Sequence, residues 1–154
     1  MKLKKNSKAP DFKLENQDGK IKNLKDYKDK ILILYFYPKD NTPGCTFEAK
    51  NLSENYSRLK RRKMEVVGVS ADSKRSHLKF IEKFKIPFDL LADEDTKLSG
   101  KYGVWGKKNF MGREYMGILR TTFLIKNGKI LEIIDKVDVK KHTEQILEVL
   151  KNAK

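Results

Sequence analysis

The chain has 154 residues, which suits one domain with its own core, and carries a formal net charge of +14 from 35 Lys+Arg against 21 Asp+Glu. Its 38% hydrophobic and 36% charged residues include no apolar run long enough for a membrane-spanning helix. A single cysteine excludes an intrachain disulfide and leaves no plausible zinc or iron–sulfur centre.

The lysine-rich start is followed by neither an apolar run nor a small-residue cleavage pattern, so no signal peptide is expected. With one cysteine, the expected compartment is a reducing cytoplasm. The positive charge has two readings: attraction to nucleic acid or an anionic membrane, or a lysine-rich solvated surface. Spread-out lysines accompanied by acids favour the second. The densest cluster, Lys60 to Lys63, falls at an expected helix end, where cations complement the macrodipole. No nucleic-acid motif adjoins it, so neither a specific nucleic acid nor a membrane is expected as partner.

After a loose start, Phe12 to Glu15 alternates, Asp18-Gly19 signals a hairpin turn and Ile21 lies on the return arm. Ile31 to Tyr37 is an unbroken apolar run rich in β-branched and aromatic side chains, which predicts a strand buried on both faces. Pro38 ends it, because proline has no N–H to give a ladder. Thr42 then suits an N-cap and Pro43 the first helical position, which puts Cys45 third. Cys45, Ala49, Leu52, Tyr56 and Leu59 recur at helical spacing and form the stripe facing the sheet. Lys50, five residues on, lies about 140° round the helix and is expected to be exposed.

Met64 to Ser70 is a second buried strand. Asp72 or Ser73 can cap a helix whose apolar stripe is Leu78, Ile81 and Phe84. Phe88 to Leu91 follows Pro87 as a short strand, and Asp93 can cap a short helix ending near Gly103. From Gly103 to Gly117, repeated glycines with Trp105, Phe110 and Tyr115 predict a partly ordered loop with hydrophobic anchors. Leu119 to Lys126 and Lys129 to Ile134 flank Asn127-Gly128, the clearest hairpin in the chain. Asp138 is expected to cap a final helix carrying Val139, Ile146, Val149 and Leu150. His77 and His142 lack partners at metal-ligand spacing and read as helix-surface residues. No phosphate-binding glycine loop, repeat or second domain is visible, so residues 1–154 form one α/β domain.

The chemistry concentrates at Cys45. A helix start offers free N–H groups and the positive end of the macrodipole, which favour thiolate over thiol. Ionisation alone is a small gain for any cysteine. Moving a thiol from pKa ~8.5 to ~6 raises its ionised fraction at neutral pH about 30-fold, and lower basicity takes back roughly 10-fold. A fast reaction at the thiolate also needs groups that orient substrate and stabilise charge on the leaving atom. Thr42, the Cys45 N–H and a distant arginine are the candidates.

Pro38-x-x-x-Thr42-x-x-Cys45 resembles the active-site signature of peroxiredoxins. The wider string, with Pro43-Gly44-Cys45-Thr46 and Glu48-Ala49, is similar to the bacterioferritin comigratory protein, or Q-type, branch. The similarity runs from Ala9-Pro10-Asp11-Phe12 to the last helix, through Val67-Gly68-Val69-Ser70, Tyr102-Gly103-Val104-Trp105-Gly106 and Arg120-Thr121-Thr122-Phe123-Leu124-Ile125. It implies a thioredoxin-like fold of peroxiredoxin type, a central mixed sheet flanked by helices. It also implies a thiol peroxidase without cofactor or metal, acting as a monomer or weak homodimer. By the same resemblance Cys45 attacks peroxide, the Thr42 hydroxyl holds it, Pro38 shields the pocket and Arg120 lies over the sulfur. Glu48 positions that arginine or braces the helix start, and Trp105 walls the pocket or merely packs. Many members of the branch carry a second cysteine five residues after the first, where this chain has Lys50. The sulfenic acid must then be reduced by an external thiol: thioredoxin, glutaredoxin or a low-molecular-weight thiol. Two other readings compete. A disulfide oxidoreductase lacks its Cys-x-x-Cys, and a basic, redox-sensing interaction module would consume little peroxide.

Overall fold

The computed structural model describes residues 3–152. Its centre is β3 (Ile31–Phe36), which pairs in parallel with β4 (Met64–Ser70) and antiparallel with β8 (Thr121–Lys126). β5 (Asp89–Ala92) and β9 (Lys129–Ile134) complete a mixed sheet in the order β5-β4-β3-β8-β9. The apolar run at 31–37 is continuous because both faces of this strand are covered. Leu32, Leu34 and Phe36 pack with Val67, Val69, Tyr102 and Phe123 on one side. Ile33, Tyr35 and Tyr37 pack with Cys45, Ala49, Leu52, Val66, Phe80 and Ile146 on the other. Each Val, Leu, Ile or Phe among them contributes about 1.5–3 kcal/mol by leaving water.

The small hairpin of β1 (Leu14–Glu15) and β2 (Ile21–Lys22) and a 3-10 helix at Leu24–Tyr27 precede the central strand. The helix after β3 is interrupted: α1 (Pro43–Glu54) and α2 (Tyr56–Arg61) meet at Asn55, with φ −103° and ψ 5°. The Asn55 side-chain amide donates to the Asn51 carbonyl at 2.8 Å and shares that acceptor with its own backbone N–H at 3.2 Å. The apolar stripe continues through Tyr56 and Leu59, so periodicity does not register the break. α3 (Lys74–Phe84) is capped by Ser73, whose hydroxyl accepts the Ser76 N–H. Its sheet-facing residues are His77 and Phe80, not the expected Leu78-Ile81-Phe84 stripe. Leu78 is exposed, and Ile81 and Phe84 are half-buried at the edge.

In α4 (Lys97–Lys101) the buried Asp93 carboxylate accepts the Leu98 and Ser99 N–H groups, while Thr96 occupies the cap position. The segment expected as a loop is a regular hairpin of β6 (Trp105–Phe110) and β7 (Arg113–Ile118). Its turn, Met111-Gly112, has φ 52° and 80°, the geometry of a type I′ turn. Most of its side chains face solvent, Phe110 at 65% and Met111 at 89%, so it lacks the buried-face alternation that marks a strand. α5 (His142–Asn152) begins four residues after Asp138. The Asp138 carboxylate instead accepts the Lys140 and Lys141 N–H groups of the preceding turn, and Val139 lies outside the helix. Asn51 of α1 pins the start of α5, accepting from the Thr143 N–H and hydroxyl and donating to the Lys140 carbonyl.

Candidate active site

Cys45 occupies the third position of α1. Thr42 is the extended N-cap, and its carbonyl accepts the Thr46 N–H at 2.8 Å. Cys45 is only 1% exposed. Arg120, in the connection between β7 and β8, directs Nη2 at Cys45 Sγ at 3.4 Å and Nη1 at Glu48 Oε1 at 2.7 Å. Two donors of one planar group thus meet two acceptors on successive turns of α1, a fork that an ammonium cannot reproduce. Gly44 makes room for it, because a Cβ there would sit 3.0 Å from Arg120 Nη2.

Glu48 is fully buried. Burial pushes its carboxyl up to about 7, against the opposing pull of Arg120. Burial also opposes charge on Arg120, but Cys45 and Glu48 outweigh it and hold the guanidinium above its ordinary value. The Thr42 hydroxyl donates to the Lys39 carbonyl at 2.8 Å, which leaves its lone pairs as acceptors. Pro38 is half-buried at the start of the loop. Trp105 opens β6 opposite Ile118 and is about one-third exposed, while Lys50 lies on the exposed face of α1.

The loop carrying Pro38 and Thr42 is anchored from below. Tyr37 donates to Asp40 Oδ1 at 2.5 Å, and the Ser76 hydroxyl donates to Asp40 Oδ2. His77 Nδ1 lies 2.8 Å from Asp40 Oδ2, while Nε2 faces the Leu91 carbonyl at 2.8 Å. Asp72 accepts the Asp40 N–H and the Ser70 hydroxyl. Asp40, Asp72 and His77 bring one potential metal-ligand atom each within 4.8 Å. Their oxygens and ring nitrogens already take protein hydrogen bonds, so the cluster works as a brace for the loop.

Both histidines are buried, contrary to the surface placement expected of them. Most of their partners lie far off in the chain: Tyr37, Asp40 and the Leu91 carbonyl for His77, and Thr122 for His142, which also has Gln145 on its own helix. His142 Nε2 lies 2.8 Å from the Thr122 hydroxyl and 3.6 Å from Glu48 Oε2. Burial pushes this imidazole down to about 4. Lys108 of β6 was also illegible as a site residue, since it sits in the segment read as a loop. Its Nζ donates to the Ile118 carbonyl. Burial and Arg120 lower its pKa while Cys45 raises it, which puts it within electrostatic reach of the sulfur.

The chain as a whole has counterparts among known proteins. The AhpC/TSA family profile matches residues 6–133. The chain is 46% identical over 143 residues to the putative peroxiredoxin bcp of Helicobacter pylori, covering 92% of this chain and 94% of that one. It belongs to the peroxiredoxins. The crystal structure of PrxQ from Xylella fastidiosa, a cysteine-to-serine mutant, superposes with TM-score 0.91 at 32% identity, covering 99% of this chain and 98% of that one. A more distant neighbour is the yeast mitochondrial 1-Cys peroxiredoxin, whose thiol is resolved via glutathione/thioredoxin systems. It has TM-score 0.81 and 25% identity, over 97% of this chain and 75% of that one. The fold is the thioredoxin-like fold of peroxiredoxins, and the protein is a thiol-dependent peroxidase of the Q-type branch with one cysteine. Among the described residues no helix is long and apolar enough to cross a membrane.

Proposed function

We propose that this peroxiredoxin works as one domain that reduces hydrogen peroxide and organic hydroperoxides at Cys45, and that Thr42, Arg120, Pro38 and Glu48 serve that reaction. The observation that carries the reading is the Arg120 fork on the sulfur of the chain's one cysteine. The Cys45 thiolate attacks the terminal peroxide oxygen. An S–O bond forms as the O–O bond breaks, leaving Cys45 sulfenic acid and an alkoxide or hydroxide that takes a proton to depart as alcohol or water. Arg120 stabilises charge on both sulfur and oxygen. The Thr42 hydroxyl, its own hydrogen given to Lys39, accepts the peroxide O–H and so orients it. Pro38 limits water at the mouth.

Lys50 stands where a resolving cysteine would be, so reduction comes from outside. One thiol condenses with the sulfenic acid to a mixed disulfide, releasing water. A second thiol then displaces Cys45 and leaves as the oxidised disulfide. Thioredoxin, glutaredoxin and low-molecular-weight thiols all fit this chemistry, and the yeast neighbour supports the first and last. A reducing compartment such as the cytoplasm supplies them. The test is peroxide consumption with excess dithiol: Cys45→Ser is expected to abolish turnover while keeping the fold. Retention of most of the turnover by the purified variant overturns the mechanism.

A further inference from the structure

We propose that His142 is a positioning residue for this site: it and Glu48 together hold one buried proton, which leaves the charge of Arg120 free for the Cys45 sulfur. The proposal rests on the reading of Cys45 and Arg120 as the reacting pair.

The tautomer of His142 follows from its neighbours. Gln145 Nε2 donates to the Lys136 carbonyl at 2.8 Å, so its Oε1 is the acceptor end of the amide. That oxygen accepts the Asp138 N–H at 3.0 Å and faces His142 Nδ1 at 2.9 Å. His142 Nδ1 therefore carries a hydrogen, and the variable proton of the ring is at Nε2. Glu48 Oε2 is buried and has no hydrogen-bond partner among the described residues. Its sister oxygen is held by Arg120, and Oε2 faces His142 Nε2 across 3.6 Å with both side chains fully buried. In the neutral ring Nε2 accepts the Thr122 hydroxyl at 2.8 Å, so a bare carboxylate oxygen 3.6 Å from that lone pair in a dry setting is unfavourable, and one proton on the pair turns repulsion into attraction. Burial acts on both groups in the direction that keeps this pair neutral.

The surroundings define what that proton controls. Arg120 faces Glu48 from the β7–β8 connection, and Cys45 lies one turn back on α1. Tyr35 of β3 feels Glu48 and Cys45 and has a buried hydroxyl without a partner among the described residues. Thr122 of β8 and Gln145 of α5 touch His142, Asp138 leads into α5, and Lys108 of β6 faces Arg120. Arg120 is thus the cation that Glu48 and the sulfur both draw on. With the proton present, the Glu48–His142 pair is neutral and the guanidinium serves the thiolate alone. Without it, the pair carries one negative charge and draws Arg120 toward Glu48. Reactivity therefore falls as pH rises through the loss of this proton.

Two measurements on the reduced, full-length protein test this. Nitrogen-15 spectra of the imidazoles need no peroxide chemistry, and the chain has only two histidines to assign. His142 is expected to keep hydrogen on Nδ1 throughout and, above its own protonation near pH 4, to show a second transition near neutral pH that disappears in Glu48→Gln. A His142 ring without the transition near neutral pH, or with one that survives Glu48→Gln, overturns the shared proton. The second measurement is the rate of peroxide oxidation against pH. In His142→Gln an amide hydrogen can point at Glu48 Oε2 and favour the carboxylate, so the falling limb should move down by about one pH unit. At a pH on that limb the variant is then about 10-fold slower than wild type. A limb that stays in place, whatever happens to thermal stability, reduces His142 to a packing role and overturns the proposal. Failure of the peroxidase reading would show separately, as turnover surviving in Cys45→Ser.

Discussion

Arg120 satisfies two acceptors that differ in kind, a sulfur at 3.4 Å and a carboxylate oxygen at 2.7 Å. Arg120→Lys keeps the charge but not the fork, so the peroxide reaction should slow on the order of 10-fold or more. Stopped-flow oxidation gives the second-order constant, and a value equal to wild type would remove Arg120 from the site. Glu48 and His142 also make a stability argument. Glu48 rises on folding from 4.5 to about 7, so its contribution is complete below 4.5 and is lost as pH rises through about 7. His142 falls from 6.5 to about 4, so its contribution is complete above 6.5 and is lost as pH falls through about 4. Between these limits the folded and unfolded pair each hold one proton, and the two slopes cancel. Glu48→Gln removes one of them. Its unfolding free energy should then rise, relative to wild type, by on the order of 3 kcal/mol from about pH 4 to 6.5. Chemical denaturation across that range measures it, and parallel profiles for variant and wild type would contradict the assignment.

At the scale of elements, α1 sets the terms. Cys45 faces the sheet and Lys50 faces water on one unbroken helix from Pro43 to Glu54. Positions five apart rise about 7.5 Å along a helix, beyond the ~4.4–6.8 Å that a disulfide spans between Cα atoms. In Lys50→Cys the peroxide-treated protein should therefore form its disulfide slowly and incompletely, because the first turns of α1 must unwind. Mass spectrometry without added thiol reads this, and rapid stoichiometric loss of two hydrogens would mean that α1 opens readily after oxidation. The start of α1 was legible because Thr42, Pro43 and Cys45 are local signals. The β6–β7 hairpin was not, since Met111 occupies a positive-φ turn position usually given to Asn or Gly and the strands bury no clear face. Asn55 escaped notice for a related reason: its backbone leaves helical angles while the apolar period stays intact.

For the molecule as a whole, the sheet brings together what the chain keeps far apart. β3 and β8 are neighbours, which lays Arg120 over Cys45, 75 residues away. That pairing was readable only through resemblance, because nothing local to Arg120 tells it from a surface charge. His142 and Lys108 had no such guide, and their roles depend on where α5 and the β6–β7 hairpin come to rest. The near-complete burial of the sulfur sets one more thing, the order in which the environment reaches it. A peroxide is small enough for a narrow approach, whereas a protein thiol must have the sulfur at the surface. If exposing it costs about 3 kcal/mol, roughly one chain in 150 is receptive at any moment. Oxidation and repair then run on different clocks, and the oxidised chain spends most of its cycle waiting. During that wait a second peroxide can carry the sulfenic acid to sulfinic acid, which ordinary thiols do not reverse. The working lifetime of each molecule is therefore set by how often α1 loosens against how often peroxide arrives, and a tighter helix start would shorten it.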